Sequence, residues 1–175
     1  MNLYKADIKY CNYLHYYEPK IAYIENEKEN RPFIGVILNV NGKNFFAPLT
    51  SPKRKHLTMK NMQDFLKIDS GKLGGINLNN MIPIPSRYLE KIEIGEIEDR
   101  KYKYMLENQM RWIKTNTLRI QNRARNLYYI ISNGHANKEL QDRCCNFKRL
   151  EKICDNYMKE NHVNEEEILY AYFSA

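Results

Sequence analysis

The spacing of the hydrophobic residues changes midway along the chain. Up to about residue 94 the apolar positions form short runs that predict strands. After residue 97 they recur every three or four residues, as they do on one face of a helix. We therefore predict an α+β fold, in which a mainly antiparallel sheet from the first half is covered by helices from the second. A single domain is expected over residues 1–175.

The strongest local signal is a hairpin. Phe33–Val40 is almost continuously apolar and β-branched, which is typical of a strand buried on both faces. Asn41-Gly42 is the preferred sequence of a two-residue turn, and residues 43–49 return as the partner strand. Without a bulge, this register places Val36 opposite Ala47, Phe33 opposite Thr50 and Arg31 opposite Pro52.

Weaker patterns surround the hairpin. They predict, in chain order, a strand at residues 2–8, a helix at Lys9–Tyr17 that ends by Pro19, a charged loop at residues 25–30, a polar connection at residues 57–71, and short strands at Leu73–Leu78, Met81–Ile84 and Tyr88–Ile94.

The second half predicts long helices. An amphipathic helix is expected from Ile97 to Ser132, with a kink or break at Thr115-Asn116-Thr117. Asn137–Glu160 is a second helix, and a short final one begins at Asn164, where three glutamates follow a capping residue.

Charge and cysteine usage narrow the class of protein. The 175 residues carry a net charge of +7, and this excess favours an anionic partner such as nucleic acid or an acidic membrane face. No apolar run reaches the roughly 20 residues that span a bilayer, and the amino-terminus lacks the apolar core of a signal peptide, so we expect a cytoplasmic protein. The four cysteines do not have common zinc spacings and are expected to be reduced core thiols.

The hairpin leads directly into a group of reactive side chains. Thr50 and Ser51 offer hydroxyls, Lys53 an ammonium and His56 an imidazole, and the register adds the guanidinium of Arg31. Cleavage of RNA without a metal needs such groups around the phosphate, because charge develops on its oxygens in the transition state. These residues could also have no catalytic role, since a basic run is most often a solvated surface and a single histidine is more often an exposed loop residue.

Other chemistries have less support. Ser51 has no Gly-x-Ser-x-Gly elbow around it, and the carboxylates form no convincing metal set, so no metal or cofactor is expected. RNA binding is assigned to basic residues beside the hairpin and on the polar face of the long helix: Arg54, Lys55, Lys60, Lys103, Arg111, Lys114, Arg119 and Arg123.

Four blocks of sequence resemble one known family. FIGVILNVNGKNFFAPLTSPK, LGGINLNNMIPIP, YKYMLENQMRWIKTN and CNFKRLE occur in the order seen in the toxins of type III toxin–antitoxin systems, the ToxN/AbiQ/CptN-like endoribonucleases. The resemblance covers about residues 3–155, and Pro-Leu-Thr-Ser-Pro-Lys is its most specific element.

The resemblance implies both a fold and a function. The fold would be a compact, strongly bent antiparallel sheet like that of MazF and Kid. The activity would be sequence-selective, metal-independent cleavage of cellular and phage mRNA that leaves a 2′,3′-cyclic phosphate. The partner would be an RNA antitoxin, a pseudoknot processed from a repeat transcript, which closes with the toxin into an oligomer. The role would be growth inhibition and abortive infection, and no DNA or membrane partner is expected.

The family positions carry over to specific residues here. Thr50, Ser51 and Lys53 match the catalytic motif, and His56 matches a histidine found in some relatives. Arg31 stands where lysine is common, which keeps the charge and changes the geometry. Tyr23 is the nearest candidate for a tyrosine that some relatives use. The alternative hypothesis is a non-catalytic RNA-binding module that uses the same basic face.

Overall fold

The fold is α+β, as predicted, in a computed structural model that describes residues 1–26 and 31–173, with side chains described up to residue 161. Its strands are β1 (Asn2–Ala6), β2 (Phe33–Val40), β3 (Lys43–Thr50), β4 (Phe65–Lys67), β5 (Gly75–Asn77), β6 (Ile82–Pro83) and β7 (Leu89–Lys91). Its helices are α1 (Ile8–Tyr17), α2 (Arg54–Thr58), α3 (Arg100–Thr115), α4 (Thr117–Ser132), α5 (Lys138–Arg143) and α6 (Phe147–Phe173).

Strand β3 lies in the middle of a seven-stranded antiparallel sheet of order β4-β5-β3-β2-β1-β7, with β6 also paired to β3. One side of β3 pairs with β2. The other side pairs first with β6, through Phe45 and Phe46, and then with β5, through Leu49 and Thr50. The last residues of β3 are therefore held by the sheet, and the chain leaves the sheet directly after Thr50.

The hairpin register is correct at the turn and wrong at the open end. Val40 pairs with Lys43 and Leu38 with Phe45, but a bulge in β2 then shifts the pairing by two residues. Ile34, not Val36, lies opposite Ala47, and Phe33 lies opposite Pro48 instead of Thr50. Gly35 lies within the shifted stretch and packs closely on Phe46, since a side chain at Gly35 would lie 1.9 Å from that ring.

The shift moves Arg31 along the partner strand. The amide of Leu49 donates to the carbonyl of Pro32 over 2.8 Å, so the two-residue offset continues beyond the last paired strand residues. Arg31 consequently lies opposite Thr50 rather than Pro52, about 7 Å closer to the start of β3 than predicted. Since the shift is even, the direction of the Arg31 side chain relative to the sheet is preserved.

Both edges of the sheet are short. The outer strands β4 and β7 have three residues each. The strand predicted at Tyr88–Ile94 is thus reduced to Leu89–Lys91, between two turns of 3-10 helix at Ser86–Tyr88 and Ile94–Glu96.

The long helix breaks where the sequence predicts. Helices α3 and α4 meet at Asn116, whose side chain donates to the carbonyl of Trp112 and so competes with the helical ladder. Helix α3 starts at Arg100 rather than Ile97, because the Asp99 carboxylate accepts the amides of Lys101 and Tyr102 as an N-cap.

Three other predictions about the elements are corrected. The connection at residues 57–71 begins with helix α2, which already starts at Arg54. The helix predicted at Asn137–Glu160 is interrupted after Arg143, where the backbone of Cys144 is extended. Helix α6 then runs without a new start at Asn164. Residues 27–30 of the predicted charged loop lie outside the described residues.

The predicted apolar stripe packs into the core. Leu106, Met110, Ile113, Ile120, Ala124 and Leu127 are all buried. All four cysteines are buried free thiols, as expected. Burial raises the pKa of Cys11, Cys144 and Cys145 to about 12, so these thiols stay protonated. Within the described ranges, no helix is both long enough and apolar enough to cross a membrane.

Candidate active site

Four of the five predicted catalytic residues line one cavity. Arg31, Thr50, Ser51 and Lys53 surround a space of about 240 Å³ at the end of β3. Thr50 is the last strand residue and is 9% exposed, whereas Arg31, Ser51 and Lys53 are exposed. Among the described residues, the charged groups of Arg31 and Lys53 have no hydrogen-bond or ion-pair partner. Two free cations and two hydroxyls thus face the same space, which suits a phosphate group.

A glycine fixes the backbone that carries the hydroxyls. Gly74 has a φ of +84°, and a side chain there would lie 2.0 Å from the Thr50 carbonyl oxygen. The next residue, Gly75, pairs with Thr50 in the ladder. The glycine-rich segment Gly71–Gly75 matches no phosphate-binding fingerprint, and its contribution is close packing under the site. No pattern within the sequence could connect it to Thr50, because the contact is long-range.

His56 lies in helix α2 and does not line the cavity. It is 2% exposed, and its Nδ1 accepts the backbone amide of Lys53 over 3.2 Å. Its ring packs against Phe65, with the centroids 5.2 Å apart. Gly71 lies against its backbone, where a side chain would be 2.2 Å from the His56 carbonyl oxygen. This geometry suits a residue that positions the backbone of Lys53.

Burial sets the charge of this histidine. Burial lowers the pKa of His56 below its ordinary value of 6.5, and the nearby ammonium groups of Lys55, Lys53 and Lys67 lower it further. The imidazole is therefore neutral at neutral pH, which it must be for Nδ1 to accept a hydrogen bond.

Helix α3 supplies the opposite wall of the cavity. Tyr102, Met105, Leu106 and Gln109 line it, and sequence reasoning missed all four as site residues. Gln109 is 1% exposed, and its amide donates to the Leu73 carbonyl over 2.8 Å, so it ties α3 to the glycine-rich segment. The spacing 102, 105, 106 and 109 is one helical face, which the sequence contains but does not link to β3.

The predicted RNA-binding cations separate into two groups. Arg54, Lys55, Lys60, Arg111, Lys114 and Arg119 are exposed. By contrast, the ammonium of Lys103 donates to the Gly95 carbonyl over 2.6 Å, and the guanidinium of Arg123 donates to the Met62 carbonyl over 2.5 Å. These two residues have structural contacts that the sequence did not indicate.

Two further candidates have clear positions. Tyr23 is 57% exposed, packs edge-on against His15 and does not line this cavity. No group of three or more His, Cys, Asp or Glu side chains suited to a metal ion is found in the described part of the chain.

Comparisons with known proteins identify the family of this chain. The family described as Toxin ToxN, type III toxin-antitoxin system, matches residues 2–155. Endoribonuclease ToxN of Pectobacterium atrosepticum is 31% identical over 174 residues, covering 95% of this chain and 99% of the relative. A solved structure concerning a bacterial antiviral system regulated by a processed non-coding RNA is 30% identical, with a TM-score of 0.75, and the match covers 87% of this chain and 96% of that one.

A second solved structure is equally close in fold. It concerns a type III system in which a non-coding RNA pseudoknot selectively inhibits the toxin, and it is 27% identical with a TM-score of 0.76, covering 90% and 97% of the two chains. The match along residues 2–155 and the near-complete coverage of an endoribonuclease establish the relationship. This chain belongs to the ToxN family of type III toxin–antitoxin toxins, which are endoribonucleases.

Proposed function

We propose that the cavity at the end of β3 cleaves RNA by attack of a 2′-hydroxyl on the adjacent phosphorus. The bond from the 2′-oxygen to phosphorus forms, the bond to the 5′-oxygen breaks, and a 2′,3′-cyclic phosphate remains. The observation that carries this proposal is the convergence of Arg31, Thr50, Ser51 and Lys53 on one cavity, with both cations free of partners among the described residues.

Each residue has a role that follows from its chemistry. Arg31 binds two phosphate oxygens through its planar guanidinium. The hydroxyls of Thr50 and Ser51 donate to the non-bridging oxygens, where charge accumulates in the transition state. Lys53 donates a proton to the departing 5′-oxygen. Water takes the proton of the 2′-hydroxyl, since the described lining has no carboxylate or imidazole.

His56 contributes to this chemistry indirectly, through the backbone of Lys53. Because its neutral Nδ1 accepts the Lys53 amide, it fixes the backbone from which the lysine side chain extends. It does not line the cavity itself, and we assign it as a positioning residue.

The antitoxin is proposed to be an RNA pseudoknot that occupies the same cavity and the exposed basic surface. We define that basic surface by Arg54, Lys55, Lys60, Arg111, Lys114 and Arg119. Inhibition of a relative by a non-coding RNA pseudoknot supports this assignment. Toxin and RNA would close into an oligomer in the cytoplasm, and release of the toxin would cleave cellular and phage mRNA and so restrict phage growth.

Incubating the purified protein with long RNA in EDTA tests the activity. Cleavage with cyclic-phosphate ends is the expected result, and Ser51→Ala should remove it while most of the RNA affinity remains. Binding without cleavage, even at high protein concentration, would instead identify a non-catalytic RNA-binding module.

A further inference from the structure

We infer that a second cavity beside the active site is a pocket for one nucleobase of the RNA, read by the side-chain amide of Asn77. This inference rests on the proposed function and adds a specificity-determining residue to it. The second cavity has a volume of about 140 Å³ and shares Arg31 with the cavity that holds Ser51 and Lys53.

The two cavities lie on opposite faces of the open end of the hairpin. Pro32 and Leu49 line the first cavity, whereas their neighbours Phe33 and Pro48 line the second. Successive residues of a strand point to opposite faces, so the hairpin itself separates the two spaces. Arg31 lies at the end of this partition and lines both spaces.

The walls of the second cavity suit a flat, apolar ring. The cavity is lined by the apolar side chains of Ile21, Ile24, Phe33, Pro48 and Ile82. Apart from Arg31, it shares none of the hydroxyls or cations of the first cavity. Lys20 also lines it, but its ammonium donates to the carbonyls of Gln141 and Cys144. A nucleotide has a charged phosphate and an apolar base with a polar edge, and the two linings match these two parts.

The polar groups of the second cavity single out Asn77. The amide of Asn80 donates to the Lys20 carbonyl over 2.6 Å, so it is engaged within the protein. In the described part of the chain, Asn77 and Arg31 are the polar side chains of this lining with no hydrogen-bond or ion-pair partner. No aspartate or glutamate is present in the described lining, which leaves the cavity compatible with an anionic ligand.

An asparagine amide has the chemistry to identify a base. It presents one acceptor and two donors, and it can form two hydrogen bonds with a base edge that offers a donor and an acceptor side by side. With the phosphate held by Arg31 and Lys53, the base of a nucleotide that flanks the cleaved bond enters the second cavity and meets Asn77. The pocket thus couples cleavage to the identity of one base.

The test measures base preference rather than activity alone. Cleavage sites are mapped on an RNA pool of random sequence, and kcat/KM is then measured on a short RNA with each of the four bases at the positions flanking the cleaved bond. We expect the wild type to prefer one base at one of these positions by roughly 10- to 100-fold. In Asn77→Leu, which keeps the side-chain size and removes the amide, this preference should fall to within about threefold at that position alone.

Matched measurements separate the possible outcomes. Asn126→Leu, on the exposed surface of α4, should keep the wild-type preference. If Asn77→Leu also keeps it, or if the wild type has no base preference at either flanking position, the base pocket is overturned while cleavage stands. If Asn77→Leu does not fold, Asn77→Asp takes its place, because it keeps the shape of the side chain without the amide donors and should also lose the preference. If the wild type cleaves no RNA, the proposed function fails together with the pocket.

Discussion

The two ends of strand β3 are built by different means. At its start, the Asn41-Gly42 turn sets the pairing of Val40 with Lys43 through local backbone geometry. Gly42 has a φ of +76°, and a side chain there would have no neighbouring atom within 4 Å. At its end, Thr50 is held by the distant Gly74, also at positive φ but packed against the Thr50 carbonyl. The first end can be predicted from two neighbouring residues, whereas the second, which carries the candidate active site, depends on contacts that are remote in sequence.

Lysines at the two ends provide the largest expected contrast. Lys53→Ala should lower the cleavage rate by about 10²–10⁴, because it removes the ammonium group proposed to protonate the departing 5′-oxygen. Lys43→Ala removes an ion pair to Asp155 of 2.8 Å at the other end and should leave cleavage unchanged. Single-turnover cleavage of one RNA by both variants measures the difference. Equal losses in the two variants would mean that Lys53 acts only through the general charge of the protein.

The two positive-φ glycines give the next contrast. Gly74→Ala should reduce the free energy of unfolding by about 1–3 kcal/mol, because the new methyl group overlaps the Thr50 carbonyl, and it should also impair cleavage. Gly42→Ala meets no neighbour and should cost about 1 kcal/mol, from the left-handed backbone alone, with normal cleavage. Urea unfolding and cleavage assays on both variants test this. Normal cleavage by a folded Gly74→Ala variant would contradict the packing role.

Lower pH should reduce the stability of the protein through His56, which lies next to the candidate site at the end of β3. The pKa of His56 is lowered by burial and by neighbouring lysines, so below pH 6.5 the unfolded chain takes up this proton before the folded chain does. The histidine therefore leaves stability unchanged above pH 6.5 and reduces it as the pH falls from 6.5 to the lowered folded-state pKa. Protonation of the folded chain also removes the acceptor for the Lys53 amide, so cleavage should decline as the pH reaches the lowered folded-state pKa.

Two substitutions isolate this effect. His56→Asn removes the titration and retains a side-chain acceptor, so the free energy of unfolding should depend less on pH below 6.5 than in the wild type. His135→Asn, at an exposed histidine, should keep the wild-type dependence. Unfolding curves at pH 5 to 7.5 provide the measurement, and the same pH dependence in His56→Asn and wild type would refute the lowered pKa of His56.

Arg111 and Arg119, the residues of the basic surface on helices α3 and α4, should show the smallest effect per residue. Arg111→Glu with Arg119→Glu should weaken RNA binding and reduce the slope of log affinity against log salt by about 0.7 per lost phosphate contact. Lys148→Glu with Lys152→Glu, exposed on α6, makes the same change of charge elsewhere. RNA affinity measured across a salt series compares the pairs. Equal slopes in the two double variants would place the RNA on another face.

Local sequence patterns predicted the helices and strands of this fold better than the contacts between them. The apolar runs and stripes identified the hairpin, the long amphipathic helix and its break at Asn116, because each depends on neighbouring residues. The register shift between Ile34 and Leu38 was missed, because no local pattern marks it. The wall formed by Tyr102 and Gln109 was missed because it depends on packing against residues distant in sequence.

In the candidate site, too, local patterns were predictive and long-range contacts were not. The linear motif brought Thr50, Ser51 and Lys53 together, and Arg31 joined them although its predicted partner residue was wrong. The burial of His56 and the carbonyl contacts of Lys103 and Arg123 could not be predicted, because a charged or titratable residue looks the same in sequence whether it is solvated or packed.

The short outer strands have a consequence for how copies of the protein can meet. An exposed sheet edge recruits another chain only when it offers a long row of unpaired backbone groups. Strands β4 and β7 offer three residues each, and each ends in a lysine, Lys67 or Lys91, that discourages strand pairing. In the proposed toxin–RNA oligomer, the copies would therefore be protected from edge-to-edge aggregation, and the RNA rather than the sheet would direct their assembly.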